Sequence, residues 1–274
     1  MNSYSDLTIL KARIGITGTG DDTQLRLLME AASRAIDKYC HRWFYALSAT
    51  RYYPGAGREL FLAEDDILSI TTLKTDEDGD GTFENTLATT DYFLYPLNGY
   101  PKIWLEINPN GNYGGFGAGS KKGVEIIGLF GYGDGESATP YTDSGITVVA
   151  DDGTETELDV SAEGTIAAGH TILVEAEQIY VKSATSDGTK KITVERARNG
   201  TTGIAHATKA AYIYDYPSPI MEAVIMTAAR LWKRKDSAYA RVIATPEMGG
   251  LEVYRGMDDD VKMLLAQYIK QRWF

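Results

Sequence analysis

Apolar positions recur at helical spacing near both ends of the chain and alternate at strand spacing through its middle. In DDTQLRLLMEAASRAIDKYCHRWF, Leu25, Leu28, Met29, Ala32, Ile36 and Tyr39 form one stripe with Cys40 beside it, while Arg26, Glu30, Arg34 and Lys38 fall opposite. Asp21 and Asp22 suit the positive end of that helix. A shorter helical stretch, LTILKARIGI, precedes it, with Ser5 or Asp6 as N-cap and the glycine-broken turn GITGTG as its end. Near the other terminus, PSPIMEAVIMTAARLWKRKDS starts with proline, where first-turn prolines are tolerated, and closes on a basic turn. Its apolar face runs through Ile220, Val224, Ala228 and Leu231, flanked by Ile225 and Trp232. A loop rich in small residues leads to DDDVKMLLAQYIKQRWF, where aspartates cap a stripe of Val261, Leu264, Leu265, Tyr268 and Ile269. Helices are therefore expected within 5–41 and 218–272.

From Phe44 to about Gly133 the period changes. ATRYYP, RELFLA, ILSITTLKT, DYFLYP, KIWLEI and VEIIGLFGY are short, rich in β-branched and aromatic residues, and separated by Gly, Pro, Asn and Asp, which predicts antiparallel strands and hairpins. GYGDGESATPYTDSG, residues 131–145, reads as a boundary. Beyond it ITVVADD, TELDVSA, TILVEAEQIYVKSAT, KKITVERAR and AAYIYDYP alternate again at sandwich or barrel intervals. The expected fold class is α+β. The helices of the two ends bury their stripes in one bundle, antiparallel β hairpins follow, and a small β-sandwich or barrel domain is inserted. In domain terms, 1–134 plus 215–274 form the helical core with its β-hairpin region at 44–134, and 135–214 form the inserted all-β domain.

The length, 274 residues, suits one large or two small domains, and 24% charged residues against 43% hydrophobic ones favour an ordered globular protein. No apolar run approaches the ~20 residues that span a bilayer. MNSYSDLTIL has no basic region followed by an apolar stretch, so no secretory leader is expected. The single Cys40 rules out an internal disulfide framework, fits a reducing compartment, and reads as a core thiol. Without CxxC or HExxH, and with only His41, His170 and His206, a zinc site is not expected. The net charge of −11 lacks the basic face of a sequence-specific DNA binder.

One stretch carries candidate chemistry. In TDEDGDGTFENTL, Asp76, Asp78 and Asp80 alternate and Gly81 stands sixth, as at the start of an EF-hand calcium loop, with Glu84 available as a further oxygen ligand. The twelfth position is Leu87 rather than a bidentate Glu, and the flanks are strand-like. A solvated hairpin tip explains the same residues without metal, since Asp and Gly supply turn geometry. The glycine-rich NPNGNYGGFGAGSKKG lacks the Lys of a phosphate loop and precedes a strand, so it is a long loop. No GxSxG elbow is present, and carboxylate pairs in an acidic chain identify nothing, so no enzyme is expected.

LKARIGITGTGDDTQLRLLMEAASRAIDKYCHRWF resembles the opening of head–tail connector proteins, or adaptors, of tailed bacteriophages: a short helix, an Asp-Asp turn, and a helix with an AAS-x-x-I run ending near Arg-Trp. YPSPIMEAVIMTAARLWKRKDS is similar to their second hallmark, a proline-led helix. The two matches lie in the helical ends of the chain, and the two β blocks between them depart from the family. AAGHTILVEAEQIYVKSATSDGTKKITVERARNGTTGIAHATKAAYIYDY is similar to a small β module of phage tail and virion proteins, with Asn199-Gly200 suited to a tight turn and His206 hydrogen-bonding at a loop base.

The adaptor resemblance implies a virion protein made in the bacterial cytoplasm. It implies a ring, typically of twelve copies, between the portal and a tail-side stopper or terminator, extending the DNA channel. Twelve copies would carry a formal charge of −132, twelve times −11, and a negative wall lets DNA slide without holding it. The family's C-terminal segment reaches the portal, which here points to Leu251, Val253, Tyr254, Trp273 and Phe274 as neighbour contacts. Two alternatives stand beside this: a calcium-dependent carbohydrate or receptor binder built on the β blocks, and another neck protein such as a stopper.

Overall fold

The computed structural model describes residues 2–55, 57–62, 64–117, 119–185, 187–235, 242–245, 249–252 and 256–270. The protein is α+β, with four α-helices among the described residues and antiparallel sheets. Its contacts divide it into two units, one comprising 1–41, 142–198 and 203–269, the other 42–141, 199–202 and 270–274.

The first unit holds the helices. α1 (Leu7–Ile14) starts where the Asp6 carboxylate accepts the Ile9 N–H at 2.9 Å, and it ends at Gly15, whose φ of +73° only glycine adopts freely. α2 (Asp22–Cys40) buries Leu25, Met29, Ala32, Ser33, Ile36 and Cys40, the expected stripe, with Leu28 and Tyr39 half-buried at its margin. α3 (Ser218–Arg234) buries Ile220, Ala223, Val224, Ile225, Ala228 and Trp232. Its covered face is rotated from the expected one: Trp232 is inside and Leu231 only half-buried. α2 and α3 pack together, α1 packs on both, and α4 (Asp259–Leu265) packs on α3. Arg13 grips Glu222 through two hydrogen bonds of 2.8 and 2.9 Å, and Lys11 meets Asp22 at 2.7 Å.

The helix expected through 272 is shorter. α4 stops at Leu265, a 3-10 turn covers Ala266–Tyr268, and Ile269 is extended. Val261, Leu265 and Tyr268 supply the buried face, whereas Leu264 lies outside it. The segment of small residues before α4 contains an unanticipated hairpin, β14 (Val242–Thr245) with β15 (Gly249–Glu252).

The second β block belongs to this same unit. β8 (Tyr141–Val148), β9 (Glu157–Asp159), β10 (Thr171–Val174), β11 (Glu177–Ala184), β12 (Lys191–Arg198) and β13 (Lys209–Tyr214) form one sheet in the order β8-β13-β10-β11-β12-β9. β8 begins inside the stretch read as a boundary. The ladder does not close into a barrel. Its edge strands touch at one bridge, Val148 with Val160, flanked by Val149 N–H to Asp159 O at 2.8 Å and Ser161 N–H to Thr147 O at 2.9 Å. The curled sheet encloses Val148, Leu158, Ile172, Val174, Ile179, Val181, Ile192 and Val194. Leu7 N–H donates to Ala168 O at 2.9 Å and the Arg26 guanidinium to Lys182 O at 2.7 Å. These bonds join the block to the helices. The grouping therefore differs from the expected one, which set 135–214 apart and kept 44–134 with the helical core.

The second unit carries two sheets. β1 (Leu47–Tyr53), β7 (Val124–Phe130), β3 (Ile67–Thr75) and β4 (Asn85–Leu87) lie in the order β1-β7-β3-β4, and β2 (Glu59–Phe61), β6 (Trp104–Ile107) and β5 (Tyr92–Tyr95) in the order β2-β6-β5. Leu60, Leu105, Ile107 and Tyr92 of the smaller sheet share one core with Tyr53, Leu73, Val124, Ile126 and Phe130 of the larger.

Candidate functional site

The acidic stretch is the connection between β3 and β4. Its geometry is set by side chains folding back on their own backbone. Asp76 is 1% exposed; its two carboxylate oxygens accept the N–H groups of Gly79 at 2.6 Å and Gly81 at 2.9 Å. Asp78 accepts from Asp80 N–H at 3.1 Å, and Asp80 from Thr82 N–H at 2.7 Å. The Thr82 amide holds the Asp80 carboxyl below the usual carboxylate range. Glu84 reaches back to Glu77 N–H at 3.2 Å. Gly79 and Gly81 both take positive φ, +84° and +93°, which explains the two glycines.

Asp76, Asp78, Asp80 and Glu84 each offer one oxygen, and the four lie within 4.8 Å of one another. That donor set suits a hard cation such as calcium. The flanking elements are strands, and Leu87 is buried in β4, so the closing ligand and both helices of an EF-hand are missing.

The glycine-rich loop packs against the base of this turn. A Cβ on Gly117 would stand 2.6 Å from Asp76 O, so only glycine fits there. Gly57, Tyr113, Gly114, Gly115 and Gly117 face Thr75, Glu77 and Asn85 across an open cleft. Phe116 N–H is spent on Gly57 O at 2.7 Å, and β7 follows the loop, an arrangement unlike a phosphate cradle.

His206 sits at a loop base, inside a buried ionic network. Its Nε2 lies 2.9 Å from Glu177 and its Nδ1 2.9 Å from Glu175. The Arg196 guanidinium binds Glu177 bidentately at 3.0 and 2.6 Å, and also contacts Asp151 and Ile204 O. Burial pushes the Glu177 carboxyl up, but Arg196, the Ala197 and Ile204 amides and His206 outweigh it and hold the group below its usual range. The network braces the segments around Asp151 and Ile204 onto β11. Glu175 and Glu177 were visible as Glu-x-Glu, but their joint hold on His206 and Arg196 was not.

Among the proposed neighbour contacts, Leu251 lies in β15 opposite Ile243. Val253, Tyr254, Trp273 and Phe274 fall outside the described residues.

The outward face of the β2-β6-β5 sheet escaped the sequence reading. Phe61, Trp104 and Tyr95 form a cross-strand ring stack, with centroids 5.5 and 3.9 Å apart and interplanar angles of 19° and 6°. The available signal was that ELF and WLEI place aromatic and acidic residues alternately with the core leucines. No helix among the described residues is long and apolar enough to cross a membrane. No protein-family model matches the chain, and no curated protein is similar enough in sequence to count as a relative.

Proposed function

We propose that the chain is a structural, non-catalytic virion protein, a head–tail adaptor. It assembles as a ring, of the twelve-fold kind, between the portal and a tail-side stopper or terminator, and it extends the channel through which DNA passes without specific binding. The observation that carries this reading is the packing of α2 against α3. Both β blocks separate these helices in sequence, yet the helices bury their stripes together, as expected of the bundle that forms an adaptor ring body. The net charge of −11 supports a conduit rather than a DNA grip. Electron microscopy of the chain with and without portal protein tests it: rings, or rings templated by portal, support the reading, and monomers alone in both samples sink it.

A second reading, a calcium-dependent binder of carbohydrate or receptor, is favoured by one observation, the four carboxylate oxygens within 4.8 Å. It requires calcium to raise the melting temperature, and Asp78→Ala to abolish that rise. Tm unmoved by calcium or by a chelator removes the metal from the account.

A further inference from the structure

The β2-β6-β5 sheet turns Leu60, Leu105 and Ile107 to the core, so the alternate positions form an outer face of Glu59, Phe61, Phe93, Tyr95, Trp104 and Glu106. Phe61 is 61% and Phe93 40% exposed. Glu59 stands directly opposite Glu106 in the β2–β6 register. Like charges at that position repel, and opposite charges there stabilise a sheet. Among the described residues no Lys or Arg lies within 4.0 Å of either carboxylate, and the one group bonded to them is the Tyr95 hydroxyl, which donates to Glu106 at 2.9 Å. The fold thus tolerates an unneutralised acidic pair beside an exposed aromatic row.

We infer that this face docks an arginine- or lysine-bearing segment of a protein partner distinct from this chain. Charge selects the occupant. Two carboxylates with no cation beside them repel phosphate, which disfavours nucleic acid and anionic lipid. Against a second copy, which carries −11 overall, this acidic pair adds repulsion, so contacts between copies in a ring would lie elsewhere on the chain. Ring geometry disfavours a sugar: both faces of Trp104 are covered by its neighbours, so the row presents ring edges and one outer Phe61 face. Basic side chains fit. Same-face positions on a strand are roughly 7 Å apart, so the methylene stem of an Arg can lie along the rings while its guanidinium reaches the carboxylates one step away. The inference concerns the second unit and does not rest on the adaptor reading.

The test uses the full chain and the peptide acetyl-Gly-Arg-Gly-Arg-Gly-amide, with the citrulline version as neutral control. Binding is followed by calorimetry, and by fluorescence change in the parent against Trp104→Phe. We expect saturable binding of the Arg peptide, none of the citrulline peptide, and at least about tenfold weaker binding in Glu59→Gln/Glu106→Gln and in Phe61→Ala. The double variant should melt no lower than the parent, since it relieves an opposed pair. Absence of saturable binding up to about 5 mM overturns the inference. So does equal binding by the double variant, or a loss that appears instead in Asp78→Asn/Glu84→Gln. Self-association of the chain that the double variant abolishes assigns the face to a second copy, and a Trp104 signal from maltoheptaose but not from peptide assigns it to glycan; either result also overturns it.

Discussion

The ammonium of Lys270 lies 3.1 Å from the carboxylate of Asp66 and donates to Asp65 O at 2.6 Å, and both side chains are almost wholly buried. Burial pulls the Lys270 ammonium below its usual range and Asp66 pushes back up. Asp66 also lies 3.5 Å from the Arg42 guanidinium, so Lys270→Ala leaves it one cation and should destabilise the chain by about 2 kcal/mol, while Lys270→Met, which keeps the apolar stem, should recover part of it. Urea unfolding of both variants checks this. A single variant costing less than about 1 kcal/mol would show the pair to be incidental.

The Tyr4 hydroxyl donates to Asp37 at 2.6 Å, and Arg34 lies 3.0 Å from the same carboxylate. Burial nevertheless outweighs both and raises the Asp37 pKa to about 6. The unfolded value is about 3.9. A carboxyl with a raised folded pKa binds its proton more readily when folded, so its stabilisation is full below pH ~4 and is lost as pH rises through about 6. The difference in stability between Asp37→Asn and the parent should therefore shift in the variant's favour by about 2 kcal/mol between pH 4 and pH 7. Asn keeps an oxygen for the Tyr4 hydroxyl. Parallel pH profiles for the two proteins would refute the assignment.

At the acidic turn, the residues are unequal. Asp76 is buried and serves two amides, whereas Asp78 is exposed and serves one. In the presence of chelator, Asp76→Ala should cost about 2–3 kcal/mol and Asp78→Ala under about 1 kcal/mol. Thermal melts of both decide it, and similar losses would contradict the hydrogen-bond account of the turn.

Arg196 neutralises Glu177, which is fully buried. Arg196→Met should cost about 3–5 kcal/mol. Arg196→Lys should restore little, because an ammonium cannot reproduce the two-pronged contact. Full rescue by Lys, read from urea midpoints, would mean that charge alone matters there.

Local periodicity made much of this fold legible. The α2 stripe from Leu25 to Ile36 is a one-dimensional signal, and so is the alternation of β7. Grouping was not legible, because it depends on bonds such as Leu7 to Ala168 and Arg26 to Lys182, between residues far apart in sequence. The early end of α4 was hidden because its stripe continues past Leu265 while the backbone extends at Ile269. Asp76 to Glu84 could be read as a cluster since they are contiguous, but only the fold shows that Asp76 is buried beneath the turn. The Glu59–Glu106 pair is a product of register, which a single sequence does not reveal.

The central claim is the proposed assembly, and it is tested most directly by electron microscopy of the purified chain mixed with the portal protein that the proposal pairs it with. The account predicts closed rings seated on portal around an open channel, lost when residues 271–274 are removed. Monodisperse single chains beside undecorated portals, at protein concentrations where both are abundant, would contradict it.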